Sequence, residues 1–249
     1  STLLSALLPG YAFDGGPQAT LERVRDRAER ERMARDMYAG LPNWENLFGA
    51  CGPDNIVITQ AGGERGDAVS KTVAQVAEDA GTDPAFAVLD LLSDTELDAC
   101  MIDHYSTEKV VREIFSSSGA LVGSDGVFNP HPHPRLYGTA PRALGRYALR
   151  EKLITVPEAI RRLSTGPAGV LGLDDRGEIA VGKRADLVLI DPARYVDTAT
   201  YDEPHQGPPG VELVTVGGTA VWDNGSHTGA RPGAVSGAQS RIDRAGDHR

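Results

Sequence analysis

Residues 121–146 read LVGSDGVFNPHPHPRLYGTAPRALGR, and the rest of the chain takes its meaning from this stretch. The short apolar run Ala120–Val122 reads as a strand that stops at Gly123-Ser124-Asp125-Gly126. Glycines on both sides of a carboxylate let the backbone turn sharply and present Asp125 at a cleft. A proline-laced loop follows with His131, His133 and Arg135, then a helix from about Pro141 that carries Arg142 and Arg146. An acid, two imidazoles and a guanidinium on one strand-to-loop junction suit catalysis. They equally suit a surface turn whose Asp bonds its own backbone. Spacing alone leaves the two readings level.

Upstream, LLSALL at 3–8 is too short to be a stable helix alone. Positions 19–38, entered after Pro17 and closed by Gly40, combine apolar residues at helical spacing with Glu/Arg ladders and predict one helix. LPNWENLF at 41–48 is a hydrophobic knot around Trp44, and Asn55–Thr59 reads as a buried strand. The GGERG that follows lacks the Lys-Ser/Thr ending of a phosphate-binding loop. Ser70–Ala80 predicts a helix ending at Gly81, and Asp83 caps another with Pro84 in its first turn. Leu97–Tyr105 is read as a strand ending on Asp103-His104-Tyr105, before a helix opened by Ser106 and Thr107. The alternation is α/β, with His104 and Asp125 at the ends of successive strands.

Downstream, Pro141–Glu151 predicts a helix, and Thr155-Val-Pro-Glu158 is a capping box opening another through Leu163. From Gly166 the texture becomes Gly-rich, with short strands expected at Gly177–Gly182, Ala185–Ile190, Val211–Val216 and Thr219–Trp222. Gly217-Gly218 reads as a two-residue hairpin turn. The expected division is an α/β portion over 1–165, a small β unit over 166–232, and an irregular tail over 233–249.

A net charge of −10 over 249 residues argues against nucleic acid or an anionic membrane as partner. Cys51 and Cys100 form neither a disulfide framework nor a thiolate metal spacing and fit a reducing, cytoplasmic setting. No apolar run approaches a membrane span, and the N-terminus lacks the basic region of a secretory signal.

The GSDG run, HPHPRLYGTAPRALGRY at 131–147, TVPEAIRRLSTGPAGVLGLDDRGEIAVGKRADLVLIDP at 155–192 and YDEPHQGPPGVELVTVGGTAVWDNGSHTGARPG at 201–233 closely resemble N-acyl-D-amino-acid deacylases. These are the D-aminoacylases of the metal-dependent amidohydrolase superfamily. The resemblance covers nearly the whole chain, and its HPHPR-to-GRY portion is the more specific part. It implies a (β/α)8 barrel with a small β-sandwich, and it places Asp125 at the end of the eighth barrel strand, where barrel enzymes carry catalytic groups. The His-x-His of the family's first strand and its later metal-binding histidines have no counterpart in this sequence. The chain therefore resembles the C-terminal part of such an enzyme, its partner chain carrying the rest of the barrel and the ligands of a zinc ion. A heterodimer, and a higher oligomer of it, is expected. Self-cleavage before Ser1 is one origin of the Ser1-Thr2 start; proteolysis and an engineered boundary are others.

The resemblance assigns Asp125 the proton transfer of amide hydrolysis, close to the metal, with no metal ligand expected in this chain. Arg135 is expected to pair with the substrate carboxylate, because a guanidinium fork matches it. The loop between Asp125 and His131 is slightly shorter than the family pattern. Ser1 (or Thr2) matches a family serine lining the same pocket, and His104 faces a plausible cleft. His131 and His133 are expected to pack the loop, and Arg142 and Arg146 to anchor the helix beneath it. His205 and His227 receive no chemistry. Two rivals stand: a cyclic-amide or hydantoin hydrolase, which would share GSDG and ADLVLIDP but not HPHPR through GRY, and a non-catalytic stabilising subunit.

Overall fold

The computed structural model describes residues 2–117, 119–128 and 130–235. The chain is mixed α/β and divides into two compact units, the first comprising Ser1–Ser117, Ser124–Tyr137 and Ala199–Gln206, the second Ser118–Gly123, Gly138–Thr198 and Gly207–Arg249. The expected tail lies mostly outside the described residues, as does Ser1.

In the first unit a three-stranded sheet has the order β1 (Thr2–Leu3), β3 (Ala99–Asp103), β2 (Ile56–Ala61), antiparallel throughout. The strands expected at 55–59 and within 97–105 therefore form. The sequence LLSALL becomes a 3-10 turn at Leu4–Leu7, with Leu4, Leu7 and Leu8 fully buried. Burial rather than helix propensity holds so short a turn. Around it pack α1 (Gly16–Arg25), α2 (Arg27–Ala39), α3 (Leu47–Cys51), α4 (Val73–Ala80) and α5 (Pro84–Asp94). They contribute Val24, Met33, Met37, Phe48, Val76 and Leu89 to one continuous core, against which Trp44 is half-buried.

The single helix expected over 19–38 is two. Asp26 leaves the helical region at ψ 130°, and its carboxylate accepts from the Glu29 N–H at 3.0 Å. A side chain able to cap restarts the helix where a purely periodic pattern reads straight through. The helix expected over Ser70–Ala80 begins at Val73, and the one after it follows expectation. Thr72 and Gln75 form a reciprocal capping box, Gly81 closes α4 in the left-handed conformation, and Asp83 caps α5 with Pro84 behind it. Thr107 caps α6 (Glu108–Ser116), which buries none of its residues. Both cysteines are unpaired and buried, and burial pushes both thiols up.

The second unit contains α8 (Val156–Leu163), α9 (Thr165–Val170) and one antiparallel sheet, order β4 (Leu187–Ile190), β5 (Val211–Val216), β6 (Thr219–Asp223), β7 (Ser226–His227). Val216 pairs with Thr219 across Gly217 (φ 56°) and Gly218 (φ 80°). Positive φ at both central residues is what a tight hairpin turn demands, and glycine supplies it. No strand forms at 177–182, where Ile179 and Val181 are exposed and pair with no neighbour strand among the described residues. Ala120–Val122 is likewise not a strand. The Val122 N–H donates to the Arg162 carbonyl at 3.1 Å, and among the described residues no strand pairs with it.

The helix expected over Pro141–Glu151 begins earlier, as α7 (Arg135–Pro141), and continues as a π-helical stretch, Arg142–Arg150. Pro141 lacks an N–H and crowds the preceding turn. Beyond it the ladder widens, so that the Glu151 N–H reaches the Arg146 carbonyl at 2.9 Å. In this stretch Gly145 backs onto Tyr195, and a Cβ there would overlap the Tyr195 carbonyl oxygen. Arg142 and Arg146 grip the buried carboxylate of Asp197 at 2.9 and 3.1 Å. The expected capping box at Thr155 is half made. Thr155 accepts from the Glu158 N–H at 3.3 Å, but the Glu158 carboxylate turns forward to Arg161 and Arg162.

Candidate active site

The first unit holds a cleft of about 490 Å³. Thr2, Leu3 and Cys100 line it from the sheet, Glu45 from the segment before α3 and Leu47 from the first residue of α3. Asp103 and Tyr105 come next at the end of β3, and Asp125, Val127 and Arg135 from the central loop. The ends of two sheet strands thus meet the loop that the sequence singled out, and polar groups project where a substrate could reach them.

Asp125 sits at φ 45°, a left-handed conformation that a short polar side chain tolerates better than most. Its carboxylate is 85% exposed and accepts from Arg135 Nη2 at 2.8 Å, while Arg135 Nε donates to the Asp125 carbonyl at 2.9 Å. One guanidinium therefore clasps both ends of the same residue. Gly126 has to be glycine, since a Cβ there would meet Leu136 at 2.7 and 3.0 Å.

The histidines hold the loop. His133 Nδ1 accepts from the Arg135 N–H at 2.9 Å, and its Nε2 lies 3.3 Å from the Tyr201 hydroxyl. His131 Nε2 bonds the Tyr201 carbonyl at 2.7 Å, and His205 Nε2 bonds the Pro130 carbonyl at 3.0 Å. His104 lies outside the lining of the cleft. Its ring meets Tyr201 edge-on at 4.8 Å, and its N–H donates to the Asn55 carbonyl at 2.9 Å. Residues 199–206 thus act as a strap across the loop, with Tyr201 at its centre. His205, given no chemistry from sequence, belongs to that strap.

Asp125 and Arg135 are brought together at the cleft; Ser1 lies outside the described residues, while Thr2 lines the cleft. Sequence reasoning passed over Asp103, Glu45 and Tyr201. Asp103 shares the strand-end position that singles out His104, and alternation along β3 distinguishes the two. No local pattern marks Glu45 or Tyr201.

Among the described residues no three His, Cys, Asp or Glu side chains converge so as to hold a metal ion. Glu45, Asp103 and Asp125 share the cleft without forming such a set. The described residues by themselves do not fit a complete metal centre.

The Amidohydrolase family profile matches residues 72–222, and the chain belongs to that family. Within it, the similarity runs to deacylases of N-acyl-D-amino acids. The chain is 34% identical over 232 residues to the N-acyl-D-aspartate deacylase of Alcaligenes xylosoxydans xylosoxydans, covering 92% of this chain and 45% of that protein. It is 44% identical over 131 residues to the N-acyl-D-glutamate deacylase of the same organism, covering 51% of this chain and 26% of that one. Among solved structures, the N-acyl-D-glutamate deacylase of Bordetella bronchiseptica, complexed with zinc and a phosphonate inhibitor, matches with TM-score 0.65 and 31% identity over 81% of this chain and 44% of its own. A D-aminoacylase described with a binuclear metal center matches with TM-score 0.64 and 32% identity over 70% and 36%. The resemblance to D-aminoacylases read from the sequence is borne out. The chain spans less than half the length of these relatives.

Proposed function

We propose that this chain forms the C-terminal part of a zinc-dependent N-acyl-D-amino-acid deacylase and supplies its proton-transferring carboxylate. The observation that carries the reading is Asp125, held by Arg135 at the mouth of a cleft inside a segment that matches the amidohydrolase family. Water attacks the amide carbonyl carbon, and Asp125 takes the proton it gives up. As the C–N bond of the resulting tetrahedral species breaks, Asp125 returns that proton to the departing nitrogen, leaving a carboxylate and a free D-amino acid. Arg135 receives the substrate α-carboxylate, which competes with Asp125 for the guanidinium fork. Substrate arrival and release of the Asp125 oxygen are then one event.

The zinc ligands are assigned mainly to the partner portion, the remainder of the (β/α)8 barrel, with Asp125 close to the metal. Exposed apolar side chains support such a partner. Val110, Val111 and Ile114 on α6 face solvent, Phe128 is 83% exposed, and in the second unit Ile179, Val188 and Leu189 are uncovered. Small β-sheets with an open apolar face are completed by further strands, so the sheet β4–β7 is assigned to a sandwich. Release of D-amino acid from an N-acyl-D-amino acid by the assembled protein, lost in Asp125→Asn with zinc content and circular dichroism unchanged, is the expected result. Near-normal turnover in that variant would refute the role of Asp125.

A further inference from the structure

The relatives differ in the D-amino acid that their names give, D-glutamate, D-aspartate or unspecified, so the charge of the side chain they accept is the open question for this cleft. Which substrates the cleft accepts is a question that rests on the deacylase reading. Every N-acyl-D-amino acid brings one α-carboxylate, and acidic ones bring a second. Among the described residues, the lining of the cleft holds one basic side chain, Arg135, already clasping Asp125 at 2.8 Å. Once Arg135 is committed to the α-carboxylate, no other basic side chain among the described lining residues remains for another.

The rest of the lining opposes a second negative charge. Glu45 and Asp103 bring two further carboxylates. The backbone at both positions is set by neighbouring structure. Glu45 directly precedes Asn46, whose side chain caps α3 by accepting from the Gly49 N–H at 3.0 Å, and Asp103 is paired with Ile56 across the sheet. Between them lie the apolar surfaces of Leu3, Leu47 and Val127. Like charges brought together in a cleft repel, and a repulsive group excludes a wrong substrate as effectively as an attractive one selects the right substrate.

We infer that the enzyme acts on N-acyl-D-amino acids whose side chains carry no carboxylate, with Glu45 and Asp103 as the specificity-determining residues that reject acidic ones. The test uses isosteric pairs, so that charge alone changes. With the enzyme assembled together with its barrel-bearing partner, kcat/KM is measured on N-acetyl-D-glutamine against N-acetyl-D-glutamate, and on N-acetyl-D-asparagine against N-acetyl-D-aspartate. The amide is expected to win each pair by at least about tenfold. Combining Glu45→Gln with Asp103→Asn is expected to bring each ratio within about threefold. Preference for either acid, or ratios unmoved in the double variant, would overturn the inference while leaving the deacylase reading intact. Failure of the folded, zinc-loaded enzyme on all four substrates would overturn that reading, and this inference with it.

Discussion

Arg135 reaches Asp125 twice, Nη2 to the carboxylate at 2.8 Å and Nε to the carbonyl at 2.9 Å. The second bond fixes the backbone of a residue held at φ 45°, so the arginine aims the acid as well as pairing with it. Arg135→Lys keeps the charge and loses the fork. It is expected to raise KM for N-acyl-D-amino acids by about tenfold and to lower kcat as well, because Asp125 loses its anchor. A KM change with kcat untouched would confine Arg135 to substrate binding.

Asn and Asp both tolerate the left-handed backbone, so Asp125→Asn isolates the chemistry, at a cost in kcat of about 10²–10⁴. Asp125→Ala adds a backbone cost of roughly 1–2 kcal/mol. Thermal unfolding of the two variants separates these effects, Ala lowering the midpoint and Asn leaving it near wild type.

Asp197 is the buried partner of Arg142 and Arg146. Asp197→Ala leaves two guanidinium groups facing each other without their shared carboxylate. A loss of about 2–3 kcal/mol in denaturant unfolding is expected. Gly145→Ala meets the Tyr195 carbonyl directly and is expected to cost about 1–3 kcal/mol, in spite of Ala being the better helix former.

Glu158 is held down at about 2, first by its hydrogen bond from Arg161 and then by that from Arg162. A carboxylate depressed in the folded state stabilises it above the ordinary value of 4.5, and the contribution fades as pH falls toward 2. The stability difference between the protein and Glu158→Gln is therefore expected to be constant near neutrality and to shrink across that acid window. A difference growing on acidification would contradict the assignment.

Tyr201 meets His104 and His133 through its ring and His131 through its carbonyl. Tyr201→Phe keeps the ring and the backbone and is expected to retain most activity. Tyr201→Ala removes the ring packing and is expected to lower kcat by about tenfold with a smaller change in KM, the pattern of a positioning residue.

Much of the architecture is legible from short-range rules. Asp83-Pro84, Gly81 and Gly217-Gly218 each state a cap or turn in residues whose local chemistry has one good solution. Asp125 and Arg135 are equally readable, being close in sequence. What escapes is decided at a distance or against periodicity. Asp26 interrupts a pattern that is helical on both sides. Ile179 and Val181 alternate as a strand should, yet nothing among the described residues pairs with them, and alternation cannot supply a neighbour. Glu45 enters the cleft from the segment before α3, and Tyr201 reaches the loop from far along the chain.

That last separation bears on when the loop acquires its geometry during folding. The bonds His205–Pro130 and His131–Tyr201 join residues 75 and 70 positions apart, whereas the helices beneath them close through neighbours a turn away. Loop-closure entropy penalises the distant contacts until the intervening chain is ordered. Pulse-labelled hydrogen exchange is expected to find α4 and α5 protected first and the Arg135 amide, bonded to His133, among the last. The geometry around Asp125 and Arg135 would then be a late event of folding, gained only after most of the surrounding structure already exists.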